Sequence, residues 1–157
     1  MNEPSVRRAA VDDAAIVARL LDDFNTEYDT PTPGVAAIES RLRLLLVGDS
    51  TFALLAGDPP SAVALVTLRP NVWFTGPVAL LDELYVARAQ RGNGLGSALV
   101  SLLRTECRSR GVALIEVNVD EGDVGALRFY DRHGFLLVQP DTSERAFYLS
   151  LELDSPV

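Results

Sequence analysis

A mixed α/β (α+β) fold with elements in the order βααβββαβαββ is predicted by three observations. Apolar residues at helical spacing fill two adjacent stretches near the start and return after position 94. Between them lie three strand-like runs, the first two separated by the breaker Gly57, Asp58, Pro59, Pro60. The third run gives way to a helix through a segment rich in arginine and glycine, Arg88 to Ser97.

Taken in order, Val6 to Ala9 reads as a short strand, and Ile16, Val17, Leu20, Leu21 and Phe24 then share one face of a helix. Asp12 and Asp13 favour the positive first turn of that helix. Tyr28 to Pro33 reads as a loop, with Thr32 as N-cap and Pro33 as first residue of a second helix that buries Ile38, Leu42, Leu45 and Leu46 before Gly48. Phe52 to Ala56 and Ala62 to Leu68 form an antiparallel hairpin, Pro70 to Pro77 a loop, and Val78 to Val86 a third long strand. The next helix turns Leu95, Leu99, Leu102 and Leu103 inward and stops at Gly111. Val112 to Val119 is a strand, Asp123 to His133 a short helix ended by Gly134, and Phe135 to Leu137 and Ala146 to Leu153 are closing strands.

At 157 residues, 48% hydrophobic and 23% charged, the chain is long enough to bury a core and short enough to be one domain, 1–157. Met1 to Arg8 holds no apolar run of signal-peptide length, and no stretch reaches the roughly 18 to 20 apolar residues of a membrane span. A cytoplasmic protein with no membrane partner is expected. The formal charge is -8, all 14 basic residues are arginine, and lysine is absent. Such a surface repels nucleic-acid phosphates and attracts cationic small molecules or basic peptides, so no nucleic-acid partner is expected. One cysteine, Cys107, and one histidine, His133, make neither an internal disulfide nor a metal cluster. Cys107 falls on the packed face of its helix, and His133 faces the negative end of its own, so neither is given a chemical role.

The segment Arg91, Gly92, Asn93, Gly94, Leu95, Gly96, Ser97 leads from a strand into a helix. Its glycines let backbone approach a ligand, and the first free N–H groups of the helix suit a phosphate or pyrophosphate, with Arg88 and Arg91 adding charge at the rim. A Walker loop is excluded, because it needs a lysine. A dinucleotide-binding loop remains as an alternative, since Glu116 lies about 20 residues past Gly96, where a ribose-binding acid is usual. Against it stand the misplaced third glycine, the long Arg88 to Arg91 connection and the lack of further βα units.

The pattern RxxGxG at Arg91, Gly94 and Gly96, preceded by Leu84, Tyr85 and Val86, resembles the coenzyme A loop of the GCN5-related N-acetyltransferase (GNAT) family. A second match lies downstream, where Ala126, Phe129, Tyr130, Gly134 and Phe135 are similar to that family's AxxFYxxxGF segment. The resemblance covers nearly the whole chain and implies a mostly antiparallel central sheet with helices on both faces. It also implies acetyl-coenzyme A as cosubstrate, held by Leu84 to Val86, Arg91 to Ser97, Asp123 and Tyr130, and, by analogy, a possible homodimer. Asp123 departs from the asparagine usual in the family; aspartate caps a helix equally well.

The implied reaction is direct attack of an amine on the thioester, without an acyl-enzyme. It requires a neutral amine, a stabilised oxyanion and protonation of the leaving thiolate. Tyr130, from the matching motif, is the candidate acid; a phenol near pKa ~10 donating to a thiolate whose acid lies near ~8.5 is uphill by roughly 2 kcal/mol, so a strong hydrogen bond suffices. Backbone N–H groups of Leu84 to Val86 are candidate oxyanion donors. Glu83 and Glu116 compete as general base, either of which is otherwise solvated strand surface. The acceptor is expected at the first two helices and the loop around Trp73, where Asp22, Asp23, Glu27, Tyr28 and Asp29 form an acidic, aromatic cluster suited to a cationic amine, or else a solvated helix end. An acyl-coenzyme A binding or sensing module without turnover is the alternative function.

Overall fold

The computed structural model describes residues 3–154. The chain divides into two compact units, Met1–Val117 and Asn118–Val157. The first holds β1 (Val6–Arg8), α1 (Ala14–Glu27), α2 (Val35–Leu45), β2 (Thr51–Ala56), β3 (Ala62–Arg69), β4 (Val78–Val86), α3 (Leu95–Ser109) and β5 (Leu114–Val117). The second holds α4 (Val124–Arg132).

The five strands lie in chain order, β1-β2-β3-β4-β5. The first three pairings are antiparallel, and β4 runs parallel to β5. Hairpins suit short connections, whereas the parallel step needs a crossover, which α3 supplies. All six residues of β2 are buried, as expected of a strand covered on both faces. Alternation then divides the core. Ala53, Leu55, Val63 and Tyr85 pack against Ala14, Val17, Ala18 and Leu20 of α1 and Leu42 of α2. Phe52, Leu54, Val66 and Leu81 turn to the opposite face. There Arg110, just past α3, lies over the Phe52 ring at 4.4 Å, and α3 buries Leu95, Leu99, Val100, Leu103 and Cys107. The mostly antiparallel sheet with helices on both faces is thus as the sequence predicts.

Asp13 joins β1 to α1: its carboxylate accepts two hydrogen bonds from the Arg7 guanidinium and one from the Ala10 N–H. The Arg7 hydrogen bonds hold the Asp13 carboxyl below the usual carboxylate range. The start of α2 differs from the expectation of a Thr32 cap. Thr32 donates instead to Asp22 at 2.6 Å and accepts from the Gly34 N–H. Gly34, at φ 91°, then turns the chain so that the helix begins at Val35. Leu45 is also exposed, because Leu42 and Leu46, one turn apart, carry the packed stripe.

The observed order is shorter than predicted by two strands. Phe135 to Leu137 and Ala146 to Leu153 form no ladder among the described residues, and Phe147, Leu149 and Leu151 are exposed. β-propensity alone does not make a strand; a strand also needs the hydrogen-bonded ladder that neither run forms among the described residues. No helix among the described residues is long and apolar enough to cross a membrane.

One backbone contact in the first unit predicts a stability effect. A Cβ placed on Gly76, in the loop between β3 and β4, would meet the Gly111 carbonyl oxygen at 2.0 Å. Backbone, not a flexible side chain, blocks the space. Gly76→Ala is expected to destabilise the protein by about 1–3 kcal/mol, read as a lower midpoint in urea.

Candidate active site

The pairing of β4 with β5 ends at Leu81 with Val117, while β3 continues beside β4 as far as Val86. Glu83 to Val86 therefore have no β5 neighbour. The Ala87 N–H bonds the Ser61 carbonyl at 2.8 Å, so by antiparallel alternation Tyr85 also bonds β3, and the N–H groups of Leu84 and Val86 turn to the open side. The Val86 carbonyl confirms that direction, since it accepts from Arg91 Nε at 2.9 Å.

After a single 3-10 turn at Arg88–Gln90, the chain passes through Gly92 (φ 79°) and Gly94 (φ 80°) into α3. Both glycines take the left-handed region, which aims successive N–H groups outward. Among the described residues, the N–H groups of Gly92, Asn93, Gly94, Leu95 and Gly96 have no protein acceptor. The loop from Arg91 to Gly94 is exposed and Leu95 is buried beneath it. This is an anion-binding geometry with its donors open, at the positive end of a helix of 15 residues.

The C-terminal end of α1 stands beside this loop. Phe24 stacks on Tyr85 with ring centroids 5.1 Å apart, and Tyr28 packs on Phe24 at 5.4 Å. Glu27 is hydrogen-bonded to the Arg91 guanidinium and lies 3.8 Å from that of Arg88. Burial first, then the charges of Glu27 and Asp23, push the Tyr85 phenol above its ordinary value. Asp23, Glu27 and Tyr28, on and just past the last turn of α1, thus lie near the Val86 end of β4. Arg91, however, spends its guanidinium on Glu27 and Val86, and the more exposed Arg88 also pairs with Glu27 at 3.8 Å, so one carboxylate is shared by the two arginines at the rim.

Trp73 is placed elsewhere. It lines an open hollow of about 410 Å³ with Arg69, Phe74, Leu114 and Glu116, at the Val78 end of β4. Eight residue-to-residue steps of strand, roughly 26 Å at about 3.3 Å each, separate Val78 from Val86. Glu116 is exposed and pairs with Arg69 at 3.5 Å. Glu83, by contrast, is half-buried, and desolvation, followed by the neighbouring Asp82 charge, raises its carboxyl above the ordinary range. Glu83 pairs with Leu65, which packs against the α1 core, so Glu83 is on the same sheet face as Tyr85.

Sequence reasoning overlooked Asp82. It is the extra residue of a β-bulge, where Leu65 pairs with Glu83 but Val66 pairs with Leu81, and Thr67 donates a hydrogen bond to its carboxylate. Two adjacent acids inside an otherwise apolar strand were the available signal, because neighbours in a regular strand face opposite sides and one acid would then enter the core.

In the second unit, Asp123 is the N-cap of α4, its carboxylate accepting from the Ala126 N–H at 3.0 Å. Tyr130 is buried, with Phe129 and Phe135 edge-on at 5.3 and 5.2 Å. Gly134 (φ 83°) ends the helix, and the Phe135 N–H returns to the Tyr130 carbonyl. His133 is the C-cap residue and packs on Phe129. Cys107 is buried in α3, where desolvation pushes its thiol up to about 11, the opposite of what a nucleophile needs.

A strand open along one edge and an amide-lined loop at the following helix are the two features that the sequence resemblance implies for an acyltransferase. A profile of the acetyltransferase (GNAT) family matches residues 16–135. A candidate acetyltransferase of Arthrobacter sp. FB24, solved by crystallography, is 50% identical with a TM-score of 0.89, covering 98% of this chain and 97% of that one. The chain belongs to the acetyltransferase (GNAT) family. Mycothiol acetyltransferase of Parafrankia sp. (strain EAN1pec) is 37% identical over 70 residues, which are 45% of this chain but only 22% of that protein. An aminoglycoside acetyltransferase from an uncultured soil metagenomic sample, crystallised with sisomicin, shares the fold at 17% identity, with a TM-score of 0.78 over 96% of this chain and 97% of that one.

Proposed function

We propose that the two units act as one N-acetyltransferase domain that passes the acetyl group of acetyl-coenzyme A to a primary amine by direct attack, without an acyl-enzyme. The carrying observation is the run of unpaired N–H groups from Gly92 to Gly96 at the start of α3, which suits a diphosphate. The open edge of β4 fits the same cosubstrate, since an extended amide-containing arm can pair with a strand that lacks a neighbour. Acetyl-coenzyme A, when bound there, supplies the acyl group as a thioester.

The protein's part is positioning and proton transfer. Leu84 and Val86 offer N–H groups to the oxygen on which negative charge develops. The Tyr130 hydroxyl gives its hydrogen to the departing sulfur, and Glu83 takes a proton from the incoming nitrogen. A lysine-like amine near pKa ~10.4 costs about 4.6 kcal/mol to neutralise at pH 7, and an α-amine near 8 only about 1.4. A base is therefore needed most for the first kind. Glu83 suits the role better than Glu116, whose carboxylate is engaged by Arg69. Asp23, Glu27 and Tyr28 favour a cationic acceptor, a small amine or the end of a basic peptide, since Asp23 is exposed beside the loop.

The test is thiol release on incubation with acetyl-coenzyme A and a panel of polyamines, aminoglycosides, basic peptides and acidic amino acids. Release with cationic amines is expected. Release with acidic amino acids alone overturns the acceptor class. Binding in a thermal-shift assay without release for any amine overturns the enzyme reading in favour of an acyl-coenzyme A sensor.

A further inference from the structure

The bulge in β4 places two carboxyl groups on one face of the sheet. Thr67 and Leu65, two apart on β3, project to the same side. Leu65 is paired with Glu83, and Thr67 holds the carboxylate of Asp82. In a regular strand, residues 82 and 83 would point to opposite faces. The inserted residue removes that separation and sets Asp82 beside Glu83.

From this juxtaposition we infer that Asp82 is a positioning residue for Glu83: anchored by Thr67, it holds a fixed negative charge that makes Glu83 a stronger acceptor of the proton lost by the amine. The inference rests on Glu83 as the base. In the step concerned, an N–H bond of the protonated amine (the ammonium) breaks, the proton joins a Glu83 carboxylate oxygen, and the nitrogen keeps the electron pair, which as the lone pair of the neutral amine attacks the acyl carbon. The proton later leaves to solvent.

The remaining charges around Glu83 are largely engaged. On β5, Glu116 pairs with Arg69 of β3. On α1, Glu27 is held by Arg91, and Asp22 accepts from Thr32, leaving Asp23 facing the phenol of Tyr85 on β4. On α2, Glu39 pairs with Arg43. Asp82 is the charged neighbour that acts on Glu83, in the same direction as burial, because two like charges side by side disfavour ionisation of the second. Burial is the larger cause, so removing Asp82 returns Glu83 only part of the way to an ordinary carboxyl.

The experiment compares the whole protein with Asp82→Asn, Thr67→Val, Thr67→Ser and Glu83→Gln. It reads the Glu83 titration by carboxyl-carbon NMR on the ligand-free protein, and kcat/KM against pH with the best amine of the panel. Asp82→Asn is expected to move both the NMR midpoint and the acidic limb of kcat/KM to lower pH. Thr67→Val should move them the same way by freeing Asp82, and Thr67→Ser should restore the wild-type values. Glu83→Gln should remove the limb and lower kcat/KM by about 10²-fold. An unmoved NMR midpoint in both Asp82→Asn and Thr67→Val overturns the inference while leaving N-acetyl transfer intact; if Asp82→Asn does not fold, Thr67→Val against Thr67→Ser decides. A limb that persists in Glu83→Gln overturns it through Glu83, and absence of thiol release with every amine overturns the reading beneath it.

Discussion

Gly94→Val is expected to weaken binding of acetyl-coenzyme A by about 10²-fold or more, because the position combines a backbone that valine rarely adopts with the N–H groups that face the ligand. At φ 80° a β-branched residue costs about 1–3 kcal/mol. Space is not the obstacle: a Cβ there would find only Pro4 Cγ, at 3.9 Å. The loop can relieve the strain by rotating Gly94 out of the left-handed region, which re-aims the N–H groups from Gly92 to Gly96 together. The fold itself should survive, since Leu95 and Leu99 remain buried beneath the loop. Calorimetric titration with coenzyme A, alongside an unchanged circular dichroism spectrum, reads the effect. Wild-type affinity in the folded variant would mean that these amides do not grip the cosubstrate.

Tyr130→Phe is expected to lower kcat by about 10²-fold with little change in cosubstrate affinity. Only the hydroxyl is removed, so the edge-on contacts with Phe129 and Phe135, and the buried ring in α4, are kept. Proton delivery to sulfur affects the transition state more than the ground state, which is why kcat falls and binding does not. Steady-state thiol release and a separate binding titration distinguish the cases. Lost affinity with unchanged kcat would make Tyr130 a binding residue.

The glycine loop was legible because its conformation is written in local backbone chemistry. Gly92 and Gly94 adopt the left-handed conformation that glycine alone takes freely, and the boundaries of β4 fall at Val78 and Val86 as the apolar run suggests. Asp123 is a cap for the same kind of local reason. The start of α2 was misplaced because Thr32 has a distant alternative partner, Asp22, which no nearby pattern reveals. The closing strands were expected at Phe135 to Leu137 and Ala146 to Leu153, but a run of strand-forming residues does not say whether a partner lies alongside, and no ladder forms there among the described residues.

By itself, then, the sequence determined the family, the order of elements up to α4 and the position of the glycine loop, since the motifs and elements behind them are patterns of neighbouring residues. Only the tertiary structure decided that Arg91 is held by Glu27, that Trp73 stands at the far end of β4 from the α1 cluster, and that a bulge turns Asp82 toward the face of Glu83. Those facts depend on register and on charges meeting across tens of residues of chain. A one-residue shift in pairing reverses every side chain of a strand while leaving its composition unchanged.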